Sequence, residues 1–334
     1  MKRFNIIDCF KLFFAYCVVA IHTSLSSAME NPVILNLILG IAVSYFFVCS
    51  GYFLQSKLEK ATSEQYRKIL WNYFCRLAVP YLIWGIWYFV LEIANQVFID
   101  HINVLLVIRG LFIRWILSSP GGGLWYVQTI LCIVLILIFF NNKRHSTLVL
   151  TIVLAISYLL SRCVLRYNEQ SEFLTGIKES IFPNEYNSLN FVCQGIFFML
   201  GIQLKKVMSF VKSTKSMSII SLVIFFVTCL PVCFYSKISN MAIVCVLRVV
   251  SLFVFTSCVY TSISEKNTKR IRAMSTMIYF MHFTIIYVVK FFLIICFPEQ
   301  SRFSVMLFLI TSVILTIISF ILSGKKWRLL KKIF

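Results

Sequence analysis

Ten apolar runs divide the chain, at roughly 5–27, 33–54, 77–99, 124–140, 146–163, 189–205, 217–235, 241–262, 275–297 and 303–323. Each is near the ~20 mostly apolar residues that a helix needs to cross a bilayer. Hydrophobic residues make up 60% of the 334 and charged ones 13%, with a mean hydropathy of +0.89. A soluble domain is about half apolar and a quarter charged, so this balance excludes a disordered chain and argues against a soluble globular one. A transmembrane barrel would show ~10-residue segments of alternating polarity instead of unbroken apolar runs. The expected fold is all-α, a polytopic integral membrane bundle of about ten helices forming one domain over residues 1–334.

An even number of spans puts both ends on one side. Of the 32 Lys and Arg, 22 fall at the N-terminus, in alternate loops and in the tail, while the opposite loops hold seven. By the positive-inside rule both termini are expected in the cytoplasm. The net charge of +20 then reads as an orientation and lipid-headgroup signal, not a nucleic-acid footprint. Lys2-Arg3 and Ser26-Ser27-Ala28 resemble the flanks of a signal peptide, but Asp8 and Lys11 interrupt the apolar region, which is also too long. It is read as a retained first span. Of the twelve cysteines all but Cys75 lie inside apolar runs, and no C-x-x-C or Cys/His cluster has metal-ligand spacing. They read as small apolar core residues, with no metal expected.

The first run carries Asp8, Lys11 and His22. On a helix Lys11 and His22 are separated by three turns plus about 20°, and Asp8 and Lys11 are surface neighbours, so all three share one stripe. A charge in the middle of a membrane helix costs about 3 kcal/mol on insertion scales, so such a stripe should face protein or a wet cavity. The other ionisable residues deep in the runs are Glu92, Arg248, His282 and Lys290. Duller explanations stand beside the functional one. Lys11 can snorkel to the cytoplasmic surface, Glu92 and Lys290 can reach the outer interface, and a lone membrane histidine can be a satisfied core residue. Arg248 cannot be deprotonated and needs an acceptor, either Glu92 or a substrate anion. Ser275, Tyr279 and His282 share a helix face.

Ser50-Gly51 ends the second run, where a glycine allows close approach by a backbone or a ligand. Arg76 and Pro80 open the third run, Pro80 as a helix-entry proline. Trp125 and Tyr126 open the fourth and are either interfacial aromatics or a binding surface. The outer segments 100–123, with Arg109, Arg114 and Pro120, and 164–188, with four glutamates, are long loops of the kind that carry function. They are candidate walls of an outward-facing cleft.

These residues together resemble membrane acyltransferase family three, whose members O-acetylate surface polysaccharides and peptidoglycan. Asp8-x-x-Lys11-x10-His22 resembles its first-span signature, an Arg or Lys eleven positions before a His. Phe46-Phe47-Val48-Cys49-Ser50-Gly51-Tyr52 is similar to its F-F-x-x-S-G-[FY] segment, and Leu124-Trp125-Tyr126 to its L-W-[FY] variant. Gly195 to Gly201 resembles its F-x-x-G segment and Ser275-x3-Tyr279-x2-His282 its late [ST]-x3-Y-x2-H segment. The likeness covers the whole chain in order and extends to the membrane domain fused to some serine racemases. It departs at the family's R-x-x-R, which reads Tyr73-Phe-Cys-Arg76, and at W-S-L-S-x-E, where Gln128 stands and no Glu follows.

The resemblance implies a multi-pass protein of the bacterial cytoplasmic membrane that moves an acetyl group from cytoplasmic acetyl-CoA, without a metal. The acceptor would be a hydroxyl of a surface glycan or its lipid-linked precursor. In that reading His22 is the general base or an acyl-carrying nucleophile, with base preferred. Lys11 and Asp8 complete the catalytic stripe, Asp8 orienting the Lys11 amine. Lys11, Arg76 and Lys68 meet the anionic end of coenzyme A, and Ser50, Gly51, Arg248, Ser275, Tyr279 and His282 line its path. The eleven-residue rise from Lys11 to His22, ~16 Å, suits an extended pantetheine arm. Trp125, Tyr126, Arg109 and Arg114 bind the sugar. A transporter or exporter of polysaccharide is the main alternative, since an intramembrane ionisable stripe suits a substrate pathway too. No inverted repeat or paired broken helices accompany it. A structural or sensor protein would leave the stripe without a purpose.

Overall fold

The computed structural model describes residues 5–98, 104–117, 123–140, 144–167, 190–210, 215–234, 242–260, 263–296 and 303–324. All regular structure among them is helical. The helices are α1 (Asn5–His22), α2 (Val33–Leu58), α3 (Ser63–Phe98), α4 (Val104–Leu117), α5 (Trp125–Phe139), α6 (Arg144–Tyr167), α7 (Asn190–Phe210), α8 (Lys215–Phe234), α9 (Ala242–Cys258), α10 (Glu265–Cys296) and α11 (Phe303–Leu322). Several carry apolar rows on their outside. On α3 Leu82, Ile83, Ile86, Trp87 and Val90 are exposed, and on α6 Leu148, Val149, Ile152, Val153 and Ile156. Helices that are apolar on the outside as well as the inside belong in hydrocarbon.

Ten spans were expected. Among the described residues five helices are long and apolar enough to cross a membrane: Val33–Leu58, Glu64–Ala94, Ser146–Val164, Glu265–Cys296 and Phe303–Leu322. Trp125–Phe139, Lys215–Leu230 and Ala242–Cys258 are apolar but shorter. At 1.5 Å per residue, α5 reaches only about 22 Å of a hydrocarbon core about 30 Å thick. An apolar run in sequence is therefore not always one helix of spanning length.

The residues divide into two compact units, Met1–Phe46 with Val211–Phe334, and Phe47–Phe210, so that α2 contributes to both. In the first unit α1 packs on α10, α9 and α11, α10 on α11, and α8 on α9. Phe14 lies 4.9 Å from Tyr45 between ring centroids, and the buried Tyr45 hydroxyl is 2.8 Å from that of Thr256. Ile286, Val289 and Leu293 of α10 close on Leu307 of α11. In the second unit α3 packs on α4 and α5, α5 on α7, and α6 on α7. Gly51 and Gly201 bring α2 and α7 together there: a Cβ on either would collide with the backbone of the other helix, at Phe198 or Val48.

Three expectations change locally. Helix α1 stops at His22 and not near residue 27. Ser24 takes a left-handed φ of 52°, a 3-10 turn follows over Leu25–Ala28, and Thr23 folds its hydroxyl back onto the Val19 carbonyl. Pro80 lies inside α3 instead of at its entrance. The polar residues before it are helical too, because Thr62 and Gln65 exchange backbone-to-side-chain hydrogen bonds in a capping box. Segment 100–123, expected as a loop, contains α4, with Val107 and Leu111 buried one turn apart. Segment 164–188 lies outside the described residues beyond Tyr167.

Candidate active site

In the first unit α1 and α10 run side by side and in the same direction, as three successive pairs show. At one end Arg272 grips Asp8, Nε to Oδ1 at 3.0 Å and Nη2 to Oδ2 at 2.6 Å. Asp8 is 1% exposed, and two parallel N–H···O bonds satisfy a carboxylate well in such a place. The Ser275 hydroxyl then donates to the Lys11 carbonyl at 3.0 Å. At the other end the rings of His22 and His282 stand 5.2 Å apart between centroids, tilted by 32°.

His282 is 1% exposed. Its Nδ1–H donates to the Tyr279 carbonyl at 2.6 Å. A carbonyl oxygen can only accept, so Nδ1 carries the proton and Nε2 keeps a lone pair in the neutral ring. That Nε2 is buried and has no hydrogen-bond partner among the described residues. Phe283 touches both rings, at 4.4 Å from His22 and 4.6 Å from His282. Two imidazoles in an aromatic setting, one with a bare nitrogen, can accept and pass a proton.

The expected roles shift in detail. Asp8 is engaged by Arg272, not by the Lys11 amine, because the guanidinium fork reaches both oxygens. Lys11 is half-buried. Ser275 and His282 both meet α1, at Lys11 and His22, and the Tyr279 ring lies 6.0 Å from that of His282. Arg248, 5% exposed, donates from Nη2 to the Thr228 carbonyl at 2.8 Å, and its Nε has no partner among the described residues. Glu92 accepts from Gln96 at 3.1 Å.

In the second unit the Ser50 hydroxyl is 2.6 Å from that of Tyr126. Trp125 and Tyr126 both lie against Phe47, with ring centroids 5.8 and 4.6 Å away. Gly51 is taken up by the packing against α7. Arg76 is exposed above the Tyr73 ring at 5.9 Å. Lys68 and Arg109 are exposed, and the Arg114 side chain lies outside the described residues. Among the described residues no group of three or more His, Cys, Asp or Glu could hold a metal ion. Cys17 and Cys49 are buried, but Cys132, Cys163 and Cys296 are exposed on the apolar outside and not in a core.

Arg272 was not anticipated. Arg272 had a signal: it extends the Ser275, Tyr279, His282 face backward by three residues. It was counted only as a loop cation.

Several long apolar helices in an all-α chain are those of a multi-pass membrane protein. The acyltransferase domain model of the membrane acyltransferase family matches residues 4–324, so the chain belongs to that family. An amino-acid racemase of Enterococcus faecalis is 30% identical over 128 residues, which are 37% of this chain and 18% of the racemase. The chain thus spans about a fifth of that relative's length. No solved structure matches it.

Proposed function

We propose that the protein is an integral membrane O-acyltransferase that moves an acetyl group from acetyl-CoA to a hydroxyl of a surface glycan or its lipid-linked precursor. The observation that carries the reading is the His22–His282 pair on parallel helices, inside a chain of the acyltransferase family. In the reaction the acceptor hydroxyl attacks the thioester carbonyl and His22 takes the hydroxyl proton. The C–S bond then breaks, and the departing thiolate receives that proton as free coenzyme A. His282 backs His22. Its Nδ1–H is committed to Tyr279, so Nε2 is the atom left to share a proton with the neighbouring ring. The Asp8–Arg272 pair and the Ser275–Lys11 bond fix the register of the two helices and so the spacing of the imidazoles.

The coenzyme phosphates call for cations. Arg76 and Lys68 are assigned to them in the second unit. Lys11 offers an amine in the first. Arg248 is the buried cation available to a further anion on the substrate. Trp125, Tyr126 and Arg109 are assigned to the sugar.

The test uses purified protein, labelled acetyl-CoA and a glycan acceptor. Acetyl transfer without an ion gradient is expected, and His22→Ala should lower it by about 10²–10⁴-fold, the usual worth of a positioned base. Transfer that survives His22→Ala at normal folded yield would remove His22 from the chemistry. Glycan movement across the membrane with no transfer would select the exporter instead.

A further inference from the structure

Arg248 is buried on α9 and reaches α8, where its Nη2 donates to the Thr228 carbonyl. A guanidinium keeps its charge inside a protein, and one carbonyl dipole does not balance it. The buried Nε–H has no acceptor among the described residues. Buried charges are normally paired, so the acidic residues of the first unit decide whether the chain supplies the partner. Asp8 is held by Arg272, Glu265 pairs with Lys269 at 2.9 Å, and Glu30 is exposed. Glu299 lies outside the described residues. Glu92, the acceptor weighed from the sequence, belongs to the second unit and accepts from Gln96.

Depth connects this cation with the imidazoles. Only residues 259–264 separate α9 from α10, too few to run back along the ~25 Å of α9. Helix α9 is therefore antiparallel to α10 and to α1. The Tyr45 ring lies 4.9 Å from Phe14 of α1 and 6.1 Å from Phe253 of α9, which sets those two residues at one depth. From there His22 is ~12 Å onward along α1, and Arg248 is ~8 Å back along α9, in the same direction. Arg248 thus stands within about one helical turn of the depth of His22.

The charge count narrows the ligand. Arg248 is the only Lys, Arg, Asp or Glu of α9, and α8 carries only Lys215, at its first residue. A single positive charge between these helices balances a single negative one. A carboxylate carries one, whereas a phosphate monoester carries about 1.5–2 and would leave charge unmatched. A cation buried in the resting protein also calls for a partner that is charged whenever it is bound, not only as the reaction passes through an oxyanion.

We propose that Arg248 binds the carboxylate of the acyl acceptor, which is accordingly an acidic sugar of the uronate type. The proposal rests on the acyl-transfer reading for calling the bound acid the acceptor, and it adds the charge of that acceptor.

Calorimetry on the purified full chain compares methyl glucuronide, methyl glucoside, which lacks the carboxylate, and inorganic phosphate. The glucuronide should bind at least about tenfold tighter than either, the low end for a hydrogen bond to a charged group. Arg248→Gln should remove that preference. Equal binding of the two sugars by the wild type, or a preference that survives Arg248→Gln, would overturn the proposal, and so would phosphate binding tighter than the glucuronide. Melting of the ligand-free variants tests for an internal partner. Arg248→Gln should melt no lower than Arg248→Lys, because removing an unpaired buried charge strands nothing. The reverse order would reveal a carboxylate of the chain paired with Arg248 and would also overturn the proposal. In transfer from labelled acetyl-CoA, Arg248→Gln should raise KM for the glucuronide by the factor seen in binding. If the wild type acetylates neither sugar, the acyl-transfer reading fails, while the binding preference still decides whether Arg248 is a carboxylate site.

Discussion

Asp8 is the residue whose surroundings depart furthest from its neighbours in sequence. Flanked by Ile7 and Cys9 in an apolar helix, it is buried and held through both oxygens by Arg272. Removing one partner of such a pair is worse than removing both, because a lone buried charge keeps its desolvation cost. Arg272→Ala, which strands the carboxylate, should therefore destabilise the protein more than Asp8→Asn, which removes the charge. The cost of Arg272→Ala should be about 1–3 kcal/mol, since Arg272 is half-exposed and its loss admits some water. Melting of the two variants and of the double variant in detergent gives the order and the coupling. If Asp8→Asn is the worse of the two, Asp8 acts through something other than this bond. Asp8, Lys11 and His22 could be placed on one stripe from spacing alone. The identity of the cation at Asp8 could not, because Arg272 is 264 positions away and looks like any basic loop residue.

At the scale of elements, glycines separate close packing from open helix surface. Gly51 and Gly201 allow α2 and α7 to touch backbone to backbone, whereas nothing lies within 4 Å of a Cβ built on Gly110 of α4. Gly51→Ala and Gly201→Ala must push the helices apart and should each cost at least about 3 kcal/mol, the upper range of overpacking. Gly110→Ala should instead stabilise by about 0.5–1 kcal/mol, as a helix-interior glycine replaced by a better helix former. Thermal melts in one detergent compare the three. Equal effects would mean that the α2–α7 approach is looser than described. The Ser50-Gly51 step was legible in sequence as a close approach, with helix packing one of its two readings, but the partner helix was not legible. Spacing tells how small a residue is, not what fills the space. Likewise the apolar content of Val104–Leu117 was visible, yet its arginines and the Pro120 turn beyond it favoured a loop.

The whole molecule carries one long-range regularity. Positions 8, 11 and 22 of α1 meet 272, 275 and 282 of α10 in ascending order, so the first and penultimate helices point the same way. An alternating membrane topology with both ends on the basic-rich side has that property. Tags at the N- and C-termini are expected to be labelled together from one side of the membrane. Labelling of the two tags from opposite sides would overturn that shared-side arrangement. The sequence by itself determined an all-helical membrane chain, the stripe on α1 and the family, because hydrophobic period and residue spacing are local properties of a helix. Only the tertiary structure decided which stripes face each other. It set His22 beside His282 and gave Asp8 to Arg272 and Gly51 to α7. Pairings between distant helices depend on how whole surfaces pack, and no local pattern along the chain encodes that.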